Sequence, residues 1–264
     1  MIPPLSRFAA HPLLRGQLPV LAGLLLPLGW VLATAGAGIV GRIAVIGAVA
    51  LFWQVLFARV RGQGFGLEGL AMAVLVAMLV PETAPLWQLV LGGTFGVVIG
   101  LLIFGGHGRN LLHPAVVTLA FLMFSFAAEG YRATPEIALF TLAPALVLLA
   151  LSGQANWRIL VGAVIGLGGL GWLQGDAGTL ELLRTGPFWL VLLFLAADPV
   201  ASAATNWGRL AHGLLFGVLV ALFLQAGTAL SAMIFAVLMT AIFAPLLDQA
   251  VIALNAGWRA RRHG

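Results

Sequence analysis

The chain has 264 residues, of which 62% are hydrophobic and only 8% charged, with a mean hydropathy of +1.10 and a formal net charge of +5. A soluble domain carries about a quarter charged residues, so this chain lacks the polar side chains for a water-facing shell and lipid must cover it instead. It contains no cysteine and no lysine, which excludes disulfides, cysteine-ligated iron–sulfur clusters, thiolate zinc sites, cysteine nucleophiles, Schiff-base chemistry and a Walker-type phosphate lysine. Its 13 basic residues are all arginines that lie singly between apolar runs, a pattern of membrane topology rather than nucleic-acid binding.

Taken in chain order, the apolar runs predict about ten transmembrane helices: Gln17–Ala37, Val40–Ala58, Gly66–Val80, Leu86–Phe104, Pro114–Ala128, Ile137–Leu151, Trp157–Leu173, Gly186–Ala197, Arg209–Ala226 and Ala229–Leu254. Residues 1–264 thus read as a single polytopic, all-α membrane domain. Several runs are shorter than the roughly 20 residues of a perpendicular crossing, and short spans interrupted by Gly or Pro suggest broken helices lining an internal site. The first run follows Arg15 and leads into Ala33, Ala35 and Ala37. With nine more runs behind it, a retained helix fits better than a signal peptide. The loops alternate in charge. Arg7, Arg15, Arg59, Arg61, Arg109, Arg158, Arg209, Arg259, Arg261 and Arg262 fall on one side; Glu82, Glu129, Glu136, Asp176 and Glu181, with only Arg132 and Arg184 basic, fall on the other. The positive-inside rule then places both termini in the cytoplasm.

The polar breaks between runs carry the chemistry. In the stretch Phe104-Gly105-Gly106-His107-Gly108-Arg109-Asn110-Leu111-Leu112-His113-Pro114, three glycines permit left-handed backbone and close approach of a ligand. Pro114 suits the first position of the fifth helix, whose free N–H groups favour an anion, and Arg109 and Asn110 add donors. A cytoplasmic turn with a topology arginine is the plainer alternative. In the second break, Ala197-Asp198-Pro199-Val200 through Thr205-Asn206-Trp207-Gly208-Arg209, Asp198 directly ends an apolar run. An ionisable group at membrane depth costs about 2.5–3.5 kcal/mol on insertion scales unless it is paired or faces a cavity. Asp198 therefore either faces a cavity or caps the following turn and pairs with Arg209. The outside loop Glu129-Gly130-Tyr131-Arg132-Ala133-Thr134-Pro135 reads from composition as a polar turn, with Thr134 as N-cap and Pro135 as first helical residue. In Ala244-Pro245-Leu246-Leu247-Asp248 a proline and a carboxylate interrupt or end the last helix, with Asp248 as a structural group at the interface. His107, His113 and His212 share one predicted side but show no ligand spacing on one helix, so they read as interfacial polar residues ahead of a haem or metal pair. Trp157, Trp207 and Trp258 read as interface anchors.

At these breaks the chain resembles the NqrB/RnfD family, the large flavin-carrying membrane subunits of the sodium-pumping NADH:quinone oxidoreductase and of Rnf complexes. Gly105-Gly106-His107-Gly108-Arg109-Asn110-Leu111-Leu112-His113-Pro114-Ala115 resembles the family's GGLGQN-x-FNPA stretch. Ala197-Asp198-Pro199-Val200 through Thr205-Asn206-Trp207-Gly208-Arg209 resembles TDPVTA-x-TTN-x-GR, and Phe235-Ala236-Val237-Leu238 with Ala244-Pro245-Leu246-Leu247-Asp248 resembles FAVLL…APLID. The order and spacing also match, over nearly the whole chain. The family's flavin-attachment stretch resembles DG-x-S-x-ATP, and Thr134 occupies the place of its threonine. This chain departs from the pattern in four ways. The attachment stretch is one residue shorter and lacks the serine, His113 stands for asparagine and His107 for leucine, the longer N-terminal region of NqrB is missing, and so are the long outside loops of RnfD. It reads as a compact, divergent member.

The resemblance implies two inverted five-helix halves with broken helices, related in architecture to urea and ammonium channels. It implies a bacterial inner-membrane subunit that works with other membrane subunits of an Rnf- or Nqr-like complex. FMN would be joined covalently to Thr134, and riboflavin, another flavin or a quinone would sit in a cytoplasmic-side cavity between the two breaks. Arg109, Asn110, Thr205, Asn206 and Arg209 are the implied cofactor-binding residues, with an arginine stabilising a reduced, anionic ring. Asp198 and Asp248 are the implied ion-coupling residues. The rival functions are a small-solute channel or transporter of the same fold without redox chemistry, and a haem subunit using His113 and His212.

Overall fold

The computed structural model describes residues 12–61, 66–106, 108–126 and 130–263, and every regular element among them is helical. Expectations placed on Arg7, His107 and Glu129 lie outside the described residues. In hydrocarbon each backbone N–H and C=O must find its partner within the chain, and a helix achieves this locally. The helices are α1 (Pro12–Ala35), α2 (Gly38–Arg61), α3 (Glu68–Leu79), α4 (Leu86–Val97), α5 (Pro114–Ser125), α6 (Ala143–Leu151), α7 (Trp157–Gln174), α8 (Ala177–Leu182), α9 (Gly186–Val191), α10 (Asn206–Leu224) and α11 (Ala229–His263). A 3-10 turn, Leu139–Leu142, leads into α6. Two wide π turns, Val98–Leu102 and Leu192–Ala196, continue α4 and α9 and run straight into the two polar breaks. Such turns recur at functional sites.

Among the described residues, five helices are long and apolar enough to cross a membrane: Gln17–Ala35, Gly38–Arg61, Trp157–Gln174, Asn206–Leu224 and Ala229–Ala256. The remaining five expected spans are apolar helices of 10–17 residues, Glu68–Leu79, Leu86–Leu102, Pro114–Ser125, Leu139–Leu151 and Gly186–Ala196. Among the differences from the expected spans, three stand out. The ninth span begins at Asn206 instead of Arg209, because Thr205 caps it by accepting the Gly208 N–H at 3.1 Å. The last helix is not interrupted at Pro245 but continues through it to His263; in a membrane bundle neighbouring groups re-satisfy the carbonyl that a proline frees. The short α8 was not foreseen. Asp176 caps it, accepting from Gly178 N at 3.0 Å and the Thr179 hydroxyl at 2.5 Å, and these bonds hold the Asp176 carboxyl below its ordinary range.

Packing follows one pattern twice. In the first part of the chain α2 packs on α3 and α4, α4 on α5, α3 on α5 and α1 on α3. In the second, α7 packs on α10 and on the π turn after α9, α10 on α11, α9 on α11, and the 3-10 turn before α6 on α9. Contacts of α1 with α6 and of α5 with α11 join the two sets. The tightest pair is α7 with α10. A side chain at Gly162 or Gly166 would run into the backbone of Leu210 or Leu214, and one at Gly213 or Gly217 into that of Ile159 or Ala163. Small residues at such a crossing let two helices approach backbone to backbone.

Candidate functional site

Polar residues gather at opposite ends of α1. Gln17 lines a chamber at one end and Thr34 a pair of cavities at the other. Their separation of 17 positions in sequence corresponds to a rise of about 26 Å, close to the roughly 30 Å hydrocarbon core of a bilayer.

The Gln17 end is built from the two breaks. Gly105, Gly106 and Gly108 have φ of 107°, 89° and 77°, values open to glycine but strained for other residues. They turn the chain so that Pro114 can start α5, with His113 as its N-cap accepting the Ala115 N–H on Nδ1 at 3.2 Å. Opposite, Asp198 closes its own turn by accepting the Ala201 N–H at 3.1 Å. Asp198 also faces a chamber of about 60 Å³, room for a few water molecules, that is lined by Gln17, Glu68, Asn110, His113 and Gln154. Asp198 thus both closes a turn and lines a cavity. Burial pushes the His113 imidazole down from its ordinary pKa, and the negative charge of Asp198 offsets part of that. Within the same cluster the Gln54 amide donates to Glu68 at 3.5 Å, and the Gln17 side chain accepts the Leu67 N–H.

Beside the chamber lies a wider cavity of about 350 Å³ that brings all three polar stretches together: Arg109 and Asn110 from the first break, Ala201 and Ser202 from the second, and Ala244, Pro245 and Asp248 from α11. Buried Asn110 is a wall common to both spaces, its amide donating to the Leu112 carbonyl at 3.3 Å. Asp248 accepts from Ala204 N at 2.7 Å, Thr205 N at 2.9 Å and the Thr205 hydroxyl at 2.6 Å, clamping the start of α10 to α11. The Thr205 hydroxyl is occupied on both sides, since it also receives the Gly208 N–H. Arg209 does not pair with Asp198. It donates to the Ala203 carbonyl at 3.2 Å and places its charge near Asp248. Asn206 is exposed in the first turn of α10. His212 is buried on α10, and its Nδ1 meets no hydrogen-bond partner among the described residues. His113 thus holds a helix end, while His212 lies within a helix.

At the Thr34 end, the loop after α5 turns at Gly130 (φ 76°) and is anchored by buried Tyr131, whose hydroxyl donates to Gln88 at 2.5 Å. The loop is tied to the start of α11 as well, through Thr228 donating to the Arg132 carbonyl at 2.5 Å and the Leu230 N–H donating to the Thr134 hydroxyl at 3.3 Å. Thr134 does not cap the helix that follows it: residues 134–138 form no regular element, and the helical register begins only at Leu139. Exposed Thr134 stands between two cavities, one of about 290 Å³ with Arg42, Glu82 and Glu136, the other of about 450 Å³ with Trp30, Glu136 and Arg184. Arg42 is buried in α2 and donates to the Val80 carbonyl at 3.1 Å, a cation at the C-terminal end of α3.

Arg42, Glu68, Gln17, Gln154 and Trp30 were passed over in the sequence because each sits inside or beside an apolar run. An ionisable residue within such a run is itself a signal, and it could have singled out Arg42 and Glu68.

Residues 11–136 and 131–257 match the model of the NQR2, RnfD, RnfE family. The chain is 31% identical over 268 residues to the B subunit of the Na(+)-translocating NADH-quinone reductase of Pseudomonas aeruginosa, a match covering 81% of this chain and 66% of that protein. It is 31% identical over 275 residues to the equivalent protein of Ectopseudomonas mendocina, covering 83% of this chain and 68% of that one, and 32% identical over 275 residues to that of Azotobacter vinelandii, with the same coverage. The chain spans about two thirds of the length of these relatives.

Proposed function

We propose, from the premise that this chain belongs to the NQR2, RnfD, RnfE family, that it is a membrane subunit of an ion-translocating, electron-transferring oxidoreductase complex. In this reading residues 1–264 form one polytopic domain of ten membrane helices in a bacterial inner membrane, with both termini in the cytoplasm. The repeated packing pattern supports two five-helix halves. Five is odd, so a second half in continuous threading runs inverted to the first.

The observation that carries the reading is the pairing of two polar sites across about 26 Å of α1. At one end Thr134 offers an exposed hydroxyl on a non-helical loop beside cavities that can take a large group. These features fit FMN held through a phosphoester to Thr134; when bound, a flavin supplies one- and two-electron redox chemistry. At the other end the cavity walled by Arg109, Asn110 and Asp248 fits a second flavin, such as riboflavin, or a quinone. There Asn110 would orient the ring and Arg109 would face its anionic form. Thr205, Asn206 and Arg209 belong to the frame that holds this cavity open. Asp198, with Glu68 across the chamber, is the better candidate for holding a coupled cation or proton, and Asp248 serves as a clamp. The distance is too long for one efficient electron hop, so partner subunits must supply relays. The test is to express the chain with a flavin transferase and weigh it intact. The expected mass is the polypeptide plus one FMN less one water, and the bare mass in Thr134→Ala. A bare wild-type chain, or an adduct that survives the substitution, would count against the reading.

A further inference from the structure

The hydroxyl of Thr134 opens onto two cavities, and these differ in what they can hold. The smaller, about 290 Å³, contains the buried guanidinium of Arg42 with the carboxylates of Glu82 and Glu136. A flat, largely apolar ring placed there would strip water from charged groups and return no hydrogen bonds matched to them, which is costly. The larger, about 450 Å³, is walled by Trp30 of α1 and has Arg184 in the turn before α9. The Trp30 indole is fixed by an edge-on contact with Phe140, centroids 5.4 Å apart at 86°. Aromatic rings stack favourably in offset geometry, and a guanidinium matches a phosphate oxygen pair. Glu136 borders both cavities but is exposed, so water and salt screen it from a phosphate.

Resting on the reading of Thr134 as an attachment residue, we infer that the ring tethered there lies in the larger cavity against Trp30, with Arg184 paired to the phosphodiester. The ligand class is a planar aromatic heterocycle on a phosphate tether. Trp30 and Arg184 are then binding residues contributed by α1 and by the turn between α8 and α9, far in sequence from the attachment loop. Arg42 stays with the Val80 carbonyl and Glu82 and takes no part.

A flavin stacked on tryptophan is strongly quenched, so the test is flavin fluorescence of the intact, flavinylated protein in detergent. In-gel fluorescence of the denatured chain gives the amount of adduct independently of docking. At equal adduct, Trp30→Leu should raise native fluorescence several-fold, while Trp157→Leu, at the far end of the bundle, should leave it unchanged. Arg184→Gln should loosen the ring and lower its fluorescence anisotropy. In the unaltered protein the flavin should be shielded from iodide relative to free FMN, a measurement that needs no variant to fold. A fluorescent band in the denatured gel with unchanged native fluorescence in Trp30→Leu, or with iodide access equal to that of free FMN, would overturn the docking and leave the attachment standing; the larger cavity would then be a lipid groove. Absence of any band in the wild type would overturn both.

Discussion

Asp248 and Thr134 each offer a side-chain oxygen to the backbone at the beginning of a helix, yet their situations are opposite. Asp248 binds two N–H groups and a hydroxyl at 2.6–2.9 Å and so joins α11 to the start of α10. Thr134 receives a single N–H at 3.3 Å and is otherwise exposed between two cavities. At the Asp248 end, chemistry and architecture share residues: His113 caps α5, Asp198 closes a turn, Thr205 caps α10, and Asp198, His113 and Asp248 also face the chamber or the cavity beside it. At the Thr134 end the loop is held by Tyr131 and by contacts with Thr228 and Leu230, so the hydroxyl is nearly free of structural duty. A loss of function at the first end therefore confounds folding with chemistry, while the second end separates them.

The sharpest way to break this contrast is Asp248→Ala. It leaves two N–H groups at the start of α10 without their acceptor and unties α10 from α11. Hydrogen bonds to a charged group are worth about 1.5–3 kcal/mol each and are not additive when shared, so a loss of about 3 kcal/mol is expected. Thermal melting in detergent reads it. Asp248→Asn keeps one acceptor oxygen and should cost about 1 kcal/mol. If Asp248 were an ion site and no clamp, Asn would abolish ion dependence while alanine left melting unchanged. That result would dissolve the distinction between the two ends.

The contrast was only partly legible in the sequence. Apolar run length placed α1, α2, α7, α10 and α11, because hydrophobicity over 18 or more residues has no other outlet than lipid. The breaks at Gly105–Pro114 and Ala197–Thr205 were visible as polar interruptions, and the structure sets them against each other. What a linear reading missed depends on distant partners. Trp30 and Arg184 reach Thr134 only because the 3-10 turn before α6 packs against both α1 and α9. Glu68 was absorbed into a predicted span, and so was Arg42. The doubled packing pattern had a faint trace in Arg42-Ile43-Ala44-Val45 and Arg158-Ile159-Leu160-Val161, which lie near the starts of α2 and α7. Pro245 misled because the local rule that proline breaks a helix yields where neighbouring helices supply partners.

An intermediate effect is expected at His113. Its Nδ1 accepts the Ala115 N–H, so in the neutral ring the proton sits on Nε2. Removing the cap with His113→Ala should cost about 1 kcal/mol. Burial lowers the folded-state pKa, so the unfolded chain binds the proton more readily. The contribution of neutral His113 to stability is then fully present above the ordinary histidine value of about 6.5 and is lost as pH falls from there toward the lowered folded value. Protonating Nδ1 would also set two N–H donors against each other at the cap. Melting temperature should thus fall between about pH 7 and pH 5 more steeply in the wild type than in His113→Asn, which keeps a capping oxygen and does not titrate. Equal slopes would remove His113 from the set of residues that serve both fold and site.

The smallest stability effect should come from the residue with the largest proposed chemical role. Thr134→Ala removes one long hydrogen bond from a loop that Tyr131 and Thr228 still anchor. A bond between neutral groups contributes about 0.5–1.5 kcal/mol, and here the Leu230 N–H is only partly buried and can turn to water. The expected change is a few tenths of a kcal/mol, about 0.3, within the scatter of a melting measurement, together with complete loss of any flavin adduct. A melting shift as large as that of Asp248→Ala would mean that the Thr134 hydroxyl is itself part of the frame. A threonine needed for folding would be a poor place to hang a bulky group, because every newly made chain would have to fold on that hydroxyl before it could be modified.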